Sequence, residues 1–219
     1  MLEAKQIRFR YGHGGFQLGE TSLKLEKGYV YVLYGENGSG KTTLLKLLYG
    51  MLEPSSGEIF RNGERVTGKK LAAFHREAAY VGAEWCVSEA TLADNVEFLR
   101  TLYPTFEEAY FQEILERFRM DGADTRRMME YSAGERCKAE IAFALARRPK
   151  LLLLDEPLAN LDPVCKAEVI DILQRAIAAS EMTVLMSTNL IDEVREIADY
   201  TGSMRDGQLS GFNERGADV

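Results

Sequence analysis

The chain has 219 residues, 46% of them hydrophobic and 28% charged, the balance of a soluble globular protein long enough to bury a proper core. Its formal net charge of -7 argues against broad electrostatic binding to nucleic acid or to an anionic membrane surface. No apolar run approaches the roughly 20 residues needed to span a bilayer, and Met1-Leu2-Glu3-Ala4-Lys5 lacks the apolar core of a signal segment.

Taken in order, residues 7–11 alternate and predict a strand, residues 12–15 a turn and residues 16–25 a second strand. Tyr11 is either an outward strand residue or an aromatic on which an adenine base stacks. Residues 29–34 are apolar and aromatic enough for a buried strand. They lead into Gly35-Glu36-Asn37-Gly38-Ser39-Gly40-Lys41-Thr42, which fits Gly-x-x-x-x-Gly-Lys-[Ser/Thr] without a mismatch. A helix then runs to near Gly50. Strand, glycine loop and helix together make a phosphate site: the glycines let several backbone N–H groups turn inward at a helix N-terminus, whose dipole favours negative charge. Lys41 would reach the β- and γ-phosphates, and the Thr42 hydroxyl would ligate Mg²⁺.

Residues 53–57 predict a turn, residues 58–61 a strand entering an Asn62-Gly63 hairpin turn, and residues 78–81 a short strand. Residues 82–87 read as a loop. Residues 91–119 are helical in pattern, with Leu92, Val96 and Leu99 on one face and Phe111, Leu115 and Phe118 on a second helix beyond Pro104. This all-helical insert spans about 88–130. A helix opens at Tyr131-Ser132-Ala133-Gly134-Glu135, where Ser132 and Glu135 fit a capping box, and stops before Pro149. Residues 151–156, four leucines and two acids, predict a buried strand. Asp162-Pro163 starts a helix to about residue 179. A strand at 183–187, a helix from Asn189 to 198 and a hairpin at 200–211 complete the chain, and the polar last residues are expected to be loose. Cys86, Cys137 and Cys165, odd in number and far apart, suit neither a disulfide framework nor a zinc site and read as reduced thiols.

Strands alternating with helices predict a mostly parallel sheet with helices on both faces, preceded by an antiparallel β region. Ligands bind such sheets at the carboxyl ends of the strands. The phosphate loop, Asp155-Glu156 and Asn189 all follow strands, so they are expected to meet in one crevice. Asp155 fits the acid that holds Mg²⁺ through water in phosphate-loop NTPases. Glu156 fits a general base for water attacking the γ-phosphate.

With these pieces in this order, the chain resembles the nucleotide-binding subunit of ATP-binding cassette (ABC) transporters from residue 2 to about 211. Tyr131 to Glu135 looks like the family's signature Leu-Ser-Gly-Gly-Gln, Ala159-Asn160-Leu161-Asp162 like the loop after its acidic strand, and residues 88–130 fall where it has a helical subdomain. The resemblance implies an α/β phosphate-loop NTPase core with an N-terminal antiparallel β subdomain, and residues 1–219 as one ABC-type domain. It implies an ATPase that powers a membrane transporter, with ATP and Mg²⁺ as ligands and no nucleic acid. Two such subunits, alike or different, would meet head to tail around two ATP molecules. Ser132 and Gly134 of each would contact the other's γ-phosphate. Separate membrane-spanning subunits would hold the protein in the cytoplasm at the inner face of the membrane. The implied nucleotide contacts are Tyr11, Gly35, Asn37, Gly38, Ser39, Gly40, Lys41, Thr42, Thr43, Ser132 and Gly134. The metal set is Thr42, Asp155 and Glu84, and the catalytic set is Glu156, Lys41 and Asn189.

Three departures from the family pattern matter. A glutamine that ligates Mg²⁺ is replaced at the best-spaced position by Ala83, with Glu84 one residue on as a substitute or water in its place. The γ-phosphate histidine is Asn189, which offers an amide donor but nothing that titrates. The signature carries Ala133 for glycine and Glu135 for glutamine, and Glu135 is read as serving the capping box. Ala83 and Asn189 predict slow hydrolysis. They also support a second reading, a regulatory subunit of a heterodimer that binds ATP and barely hydrolyses it. A third reading is a soluble ABC ATPase outside transport, against which stand the acidic charge and the absence of coiled-coil heptads. The cargo and its direction are not written in this chain.

Overall fold

The structure is a computed structural model describing residues 1–12, 14–82 and 88–215. Its first layer is antiparallel. Strands β1 (Leu2–Arg10) and β2 (Gln17–Leu25) pair with each other, and β4 (Ser56–Arg61) and β5 (Glu64–Arg65) extend the sheet in the order β2-β1-β4-β5. Leu2, Ala4 and Ile7 of β1 are buried. The β4–β5 turn is Asn62-Gly63, both at positive φ (50° and 81°), as the primed hairpin turns require.

The second sheet contains β3 (Val30–Tyr34), β6 (Ala78–Val81), β7 (Leu151–Asp155), β8 (Thr183–Thr188), β9 (Tyr200–Arg205) and β10 (Gln208–Leu209), in the order β10-β9-β3-β8-β7-β6. From β9 to β6 every pairing is parallel. A parallel strand covered on both faces reads as a continuous apolar run, which explains the four consecutive leucines of β7. Their faces divide. Leu151 and Leu153 pack with helix α1 (Lys41–Tyr49) and residues of the antiparallel sheet, while Leu152 and Leu154 pack with helices α5 (Ala133–Ala146) and α6 (Pro163–Ala178) and with the insert. The insert holds α3 (Leu92–Leu102) and α4 (Glu108–Arg117), and Phe111 stacks on Phe143 of α5 with ring centroids 4.8 Å apart. All six apolar residues assigned to its two faces are buried.

Three segments differ from expectation. Helix α2 (Lys69–Glu77) was not predicted: its apolar face is short, with Phe74 buried and Leu71 packed one turn before it, in an otherwise charged segment. After Asn189 the chain forms two 3-10 turns, Ile191–Glu193 and Arg195–Ile197, in place of one helix. Ile191, Val194 and Ile197 recur every three residues, the 3-10 period, and all three pack against the core. Near the end, β11 (Asn213–Glu214) pairs with β9, so residues expected to be loose are tied down.

In this order β3, β8 and β7 are neighbours. The phosphate loop, Asn189 and the two acids leave adjacent carboxyl ends and are carried to the same rim.

Candidate functional site

The loop from Gly35 to Gly40 owes its path to two glycines in particular. Gly40 caps α1 at φ 110°, where a Cβ would stand 2.4 Å from the Phe16 ring. A Cβ on Gly35 would stand 2.2 Å from the Met204 carbonyl oxygen. The β9–β10 turn braces the loop from behind, the Gly207 N–H donating to the Ser39 carbonyl at 2.9 Å. Asn37, Gly38 and Ser39 line a cavity of about 760 Å³ together with Asn189 and Arg205. Among the described residues, Ser39 Oγ is buried and makes no hydrogen bond. A buried hydroxyl left unmatched on a loop of this kind suits an anionic ligand that would accept from it.

Lys41 is 3% exposed and fully engaged. Its Nζ donates to the carbonyls of Gly35 (2.8 Å) and Glu36 (3.0 Å) and lies 3.0 Å from Glu156 Oε1. Thr42 Oγ1 donates to Asp155 Oδ1 at 3.0 Å. Glu156 follows β7 at φ 50°, a left-handed backbone unusual for a side chain of its size, and its N–H donates to Ser187 Oγ at 2.9 Å. Ser187 in turn donates to Asp155 Oδ1 (2.7 Å), and Tyr80 donates to Asp155 Oδ2 (3.0 Å). Burial, and next to it the Asp155 carboxylate, drive the Tyr80 phenol far above its usual range, so it remains a donor.

Lys41, Thr42, Asp155 and Glu156 therefore form one connected cluster, while Asn189, past the end of β8, lines the cavity shared with Asn37, Gly38 and Ser39. The hydroxyl of Thr42 and the carboxylate of Asp155 are hard oxygen donors in contact, the chemistry Mg²⁺ selects. Among the described residues no group of three or more His, Cys, Asp or Glu stands ready to hold a metal unaided. A cation here would lean on phosphate oxygens, as Mg²⁺ does in such sites. Thr43 is buried within α1, and Tyr11 is 42% exposed beside the edge of Phe9. Ala83 and Glu84 lie outside the described residues.

Ser132 and Gly134 stand apart, at the start of α5. The capping box is formed: the Glu135 N–H donates to Ser132 Oγ (3.2 Å) and the Ser132 N–H to Glu135 Oε2 (2.8 Å). Arg126 donates to Glu135 Oε1 at 2.9 Å and to Asp124 at 2.7 Å, and lies over the Tyr131 ring. Arg126 first, and then Ser132, hold the Glu135 carboxyl down at about 2. Cys137 and Cys165 are free thiols, and burial pushes Cys137 up to about 12, which leaves it inert.

Sequence reasoning missed Tyr80, Ser187 and Arg126. For the first two a signal existed: a hydroxyl in an otherwise apolar buried strand, near its carboxyl end, needs a partner.

The ABC transporter family model matches residues 18–159. The chain belongs to the ABC transporter family. Among its ABC relatives, a putative ABC transporter ATP-binding protein of Listeria monocytogenes is 33% identical over 216 residues, covering 95% of this chain and 80% of the relative. The ABC transporter ATP-binding protein YtrB of Bacillus subtilis is 28% identical, covering 96% and 70%. The lantibiotic transport ATP-binding protein SrtF of Streptococcus pyogenes is also 28% identical, covering 95% and 89%. Among solved ABC structures, an ATP-binding subunit of an ABC transporter superposes with a TM-score of 0.84 at 25% identity, covering 99% of this chain and 95% of that one. A dimeric ATP-binding cassette in a post-hydrolysis state with ADP and Pi gives 0.85 at 21%, covering 98% of each, and shares the fold. Among the described residues of this ABC protein, no helix is long and apolar enough to cross a membrane.

Proposed function

We propose that the protein is the ATP-binding and ATP-hydrolysing subunit of a membrane transporter, acting as one ABC-type unit over residues 1–219 with residues 88–130 as a helical insert. One observation carries this reading: the loop's Lys41 and Thr42 touch Glu156 and Asp155, the two acids where β7 ends, at 3.0 Å each. Binding and hydrolytic groups thus share a single cluster.

ATP is the substrate. The Lys41 ammonium and the Ser39 hydroxyl donate to its phosphate oxygens, and the loop N–H groups bind the same charge. Tyr11 supplies a face for the adenine. Thr42 and Asp155, with Glu84 as a further candidate, would hold Mg²⁺, and the cation would supply positive charge against that developing on the phosphates. Glu156 leaves Lys41 as the nucleotide arrives and accepts a proton from water. The water oxygen bonds to the γ-phosphorus, the bond to the β-phosphate oxygen breaks, and ADP departs. Asn189 donates its amide to the γ-phosphate.

The partners in this reading are a second ABC ATPase subunit and separate membrane-spanning subunits, which place the protein at the inner face of the cell membrane. Several relatives are named as transport ATP-binding proteins, and one structural neighbour is titled as part of the complex cbiONQ. Asn189, which cannot become an imidazolium, favours a slow enzyme or the weaker half of a heterodimer.

The test is steady-state release of phosphate by the purified chain with Mg²⁺. Wild type turns over slowly, and Glu156→Gln loses turnover on the order of a hundredfold or more while still binding ATP. Nucleotide binding without turnover in wild type would leave only the regulatory reading, and absence of binding would sink both.

A further inference from the structure

Asp155 sits where three hydroxyls converge, and only Thr42 comes from the phosphate loop. The other two come from the strands on either side of β7: Tyr80 of β6 at Oδ2 and Ser187 of β8 at Oδ1, 3.0 and 2.7 Å away. Both residues are buried, at 1% and 0% exposure. Strand register explains their reach. Ser187 lies directly beside Asp155, whereas Tyr80 lies beside Leu153, two residues behind the acid on the same face. Two residues of strand are roughly 6.6 Å, a span that a tyrosine covers to its hydroxyl and a phenylalanine leaves one oxygen short. Behind it the ring of Tyr49, 5.6 Å away between centroids, helps fix the Tyr80 ring. Ser187 has a second task, since its oxygen also accepts the N–H of Glu156 at 2.9 Å. That residue carries the left-handed φ of 50°, so one serine joins the carboxylate of residue 155 to the strained backbone of residue 156.

We propose that Tyr80 and Ser187 are positioning residues, a hydroxyl clamp from the two flanking strands that fixes the Asp155 carboxylate for its cation and, through Ser187, sets the direction in which Glu156 leaves β7. The proposal rests on the reading of Asp155 as the acid that holds Mg²⁺. A carboxylate bound through both oxygens has lost its rotation before the cation arrives. Without the clamp, that ordering is left to the binding step, and partners that orient a metal-holding carboxylate affect metal affinity for this reason.

The test titrates Mn²⁺, as a spectroscopic stand-in for Mg²⁺, into the full chain carrying Glu156→Gln at saturating ATP, followed by electron paramagnetic resonance. ATP affinity is measured in parallel in EDTA. Tyr80→Phe, which keeps the ring and removes only the hydroxyl, and Ser187→Ala each weaken Mn²⁺ binding about tenfold while metal-free ATP affinity stays within about twofold. Unchanged Mn²⁺ affinity in both variants, or an equal loss of metal-free ATP binding, overturns the clamp. If the parent holds Mn²⁺ no better than ATP alone does, the reading of Asp155 fails and takes the clamp with it, a result distinct from variants that match a metal-binding parent.

Discussion

At Asn189 the protein presents an amide to the phosphate-loop cavity. An amide donates a neutral hydrogen bond. An imidazolium donates a charged one, roughly twice as strong, where charge grows in the transition state. Asn189→His is therefore expected to raise kcat about tenfold or more with a smaller change in KM, measured by steady-state phosphate release. An unchanged kcat would mean that another step limits turnover. Glu135 departs from the family in the opposite direction, adding charge beside a helix N-terminus, and the structure accounts for it through the guanidinium of Arg126. The consequence is a pH dependence whose sign follows from linkage. The carboxyl lies near 2 in the folded chain against an ordinary 4.5, so its stabilisation is present above about 4.5 and fades as pH falls towards 2. The pair is partly exposed, which keeps the contribution small. Thermal midpoints of wild type and Glu135→Gln are thus expected to differ most at neutral pH and to converge as pH falls below about 4. That Lys41 and Thr42 would meet Asp155 and Glu156 was legible because both patterns are fixed along the chain and both follow strands. Arg126 was not, since its role depends on a loop folding back across nine residues to meet Glu135.

Helix ends were the most legible elements, because caps are local chemistry. Ser132 and Glu135 form the expected box on α5, and Asp162 accepts from the N–H groups of Val164 and Cys165 ahead of a proline at the first helical position of α6. Asp162→Ala leaves those two donors to water and is expected to lower the urea midpoint at unchanged m-value. An unchanged midpoint would show that water replaces the cap without penalty. Helix α2 lay beyond this logic. Its N-cap, Gly68, contributes no side-chain hydrogen bond, and its apolar face holds only Leu71 and Phe74, one turn of signal among charged residues. The 3-10 turns after Asn189 failed as an expectation for a related reason: Ile191, Val194 and Ile197 fit a period of 3.0, and over seven residues that period is hard to tell from 3.6. Tyr80 and Ser187 belong to the same scale. Each is an ordinary strand residue until the register of β6, β7 and β8 brings it to Asp155.

Across the whole molecule, the two faces of the parallel sheet carry different work. The α1 face leads to the phosphate loop and the acids, and the opposite face is covered by α5, α6 and the helical insert. Helix α5 thus couples two regions: its N-terminus carries Ser132 and Gly134, and its body stacks on the insert through Phe143 and Phe111. The Ser132 hydroxyl and the Glu135 N–H are engaged within the capping box, which leaves the N–H groups of Ala133 and Gly134, at the first turn of α5, for an outside acceptor. In the proposed dimer that acceptor is the γ-phosphate held by the other subunit. Glu156→Gln, which preserves bound ATP, is accordingly expected to sediment as a dimer with MgATP and as a monomer with ADP. Adding Ser132→Asp keeps an oxygen acceptor at the N-cap, places a carboxylate at the shared phosphate and is expected to abolish the dimer while ATP affinity stays within about threefold, because the loop, Lys41 and Thr42 lie on other elements. A dimer that persists in the double variant would remove Ser132 from the interface. A Glu156→Gln chain that stays monomeric alone yet associates with a second ABC subunit carrying the histidine would instead make Asn189 the mark of the weaker half of a heterodimer, in which the stronger site limits turnover.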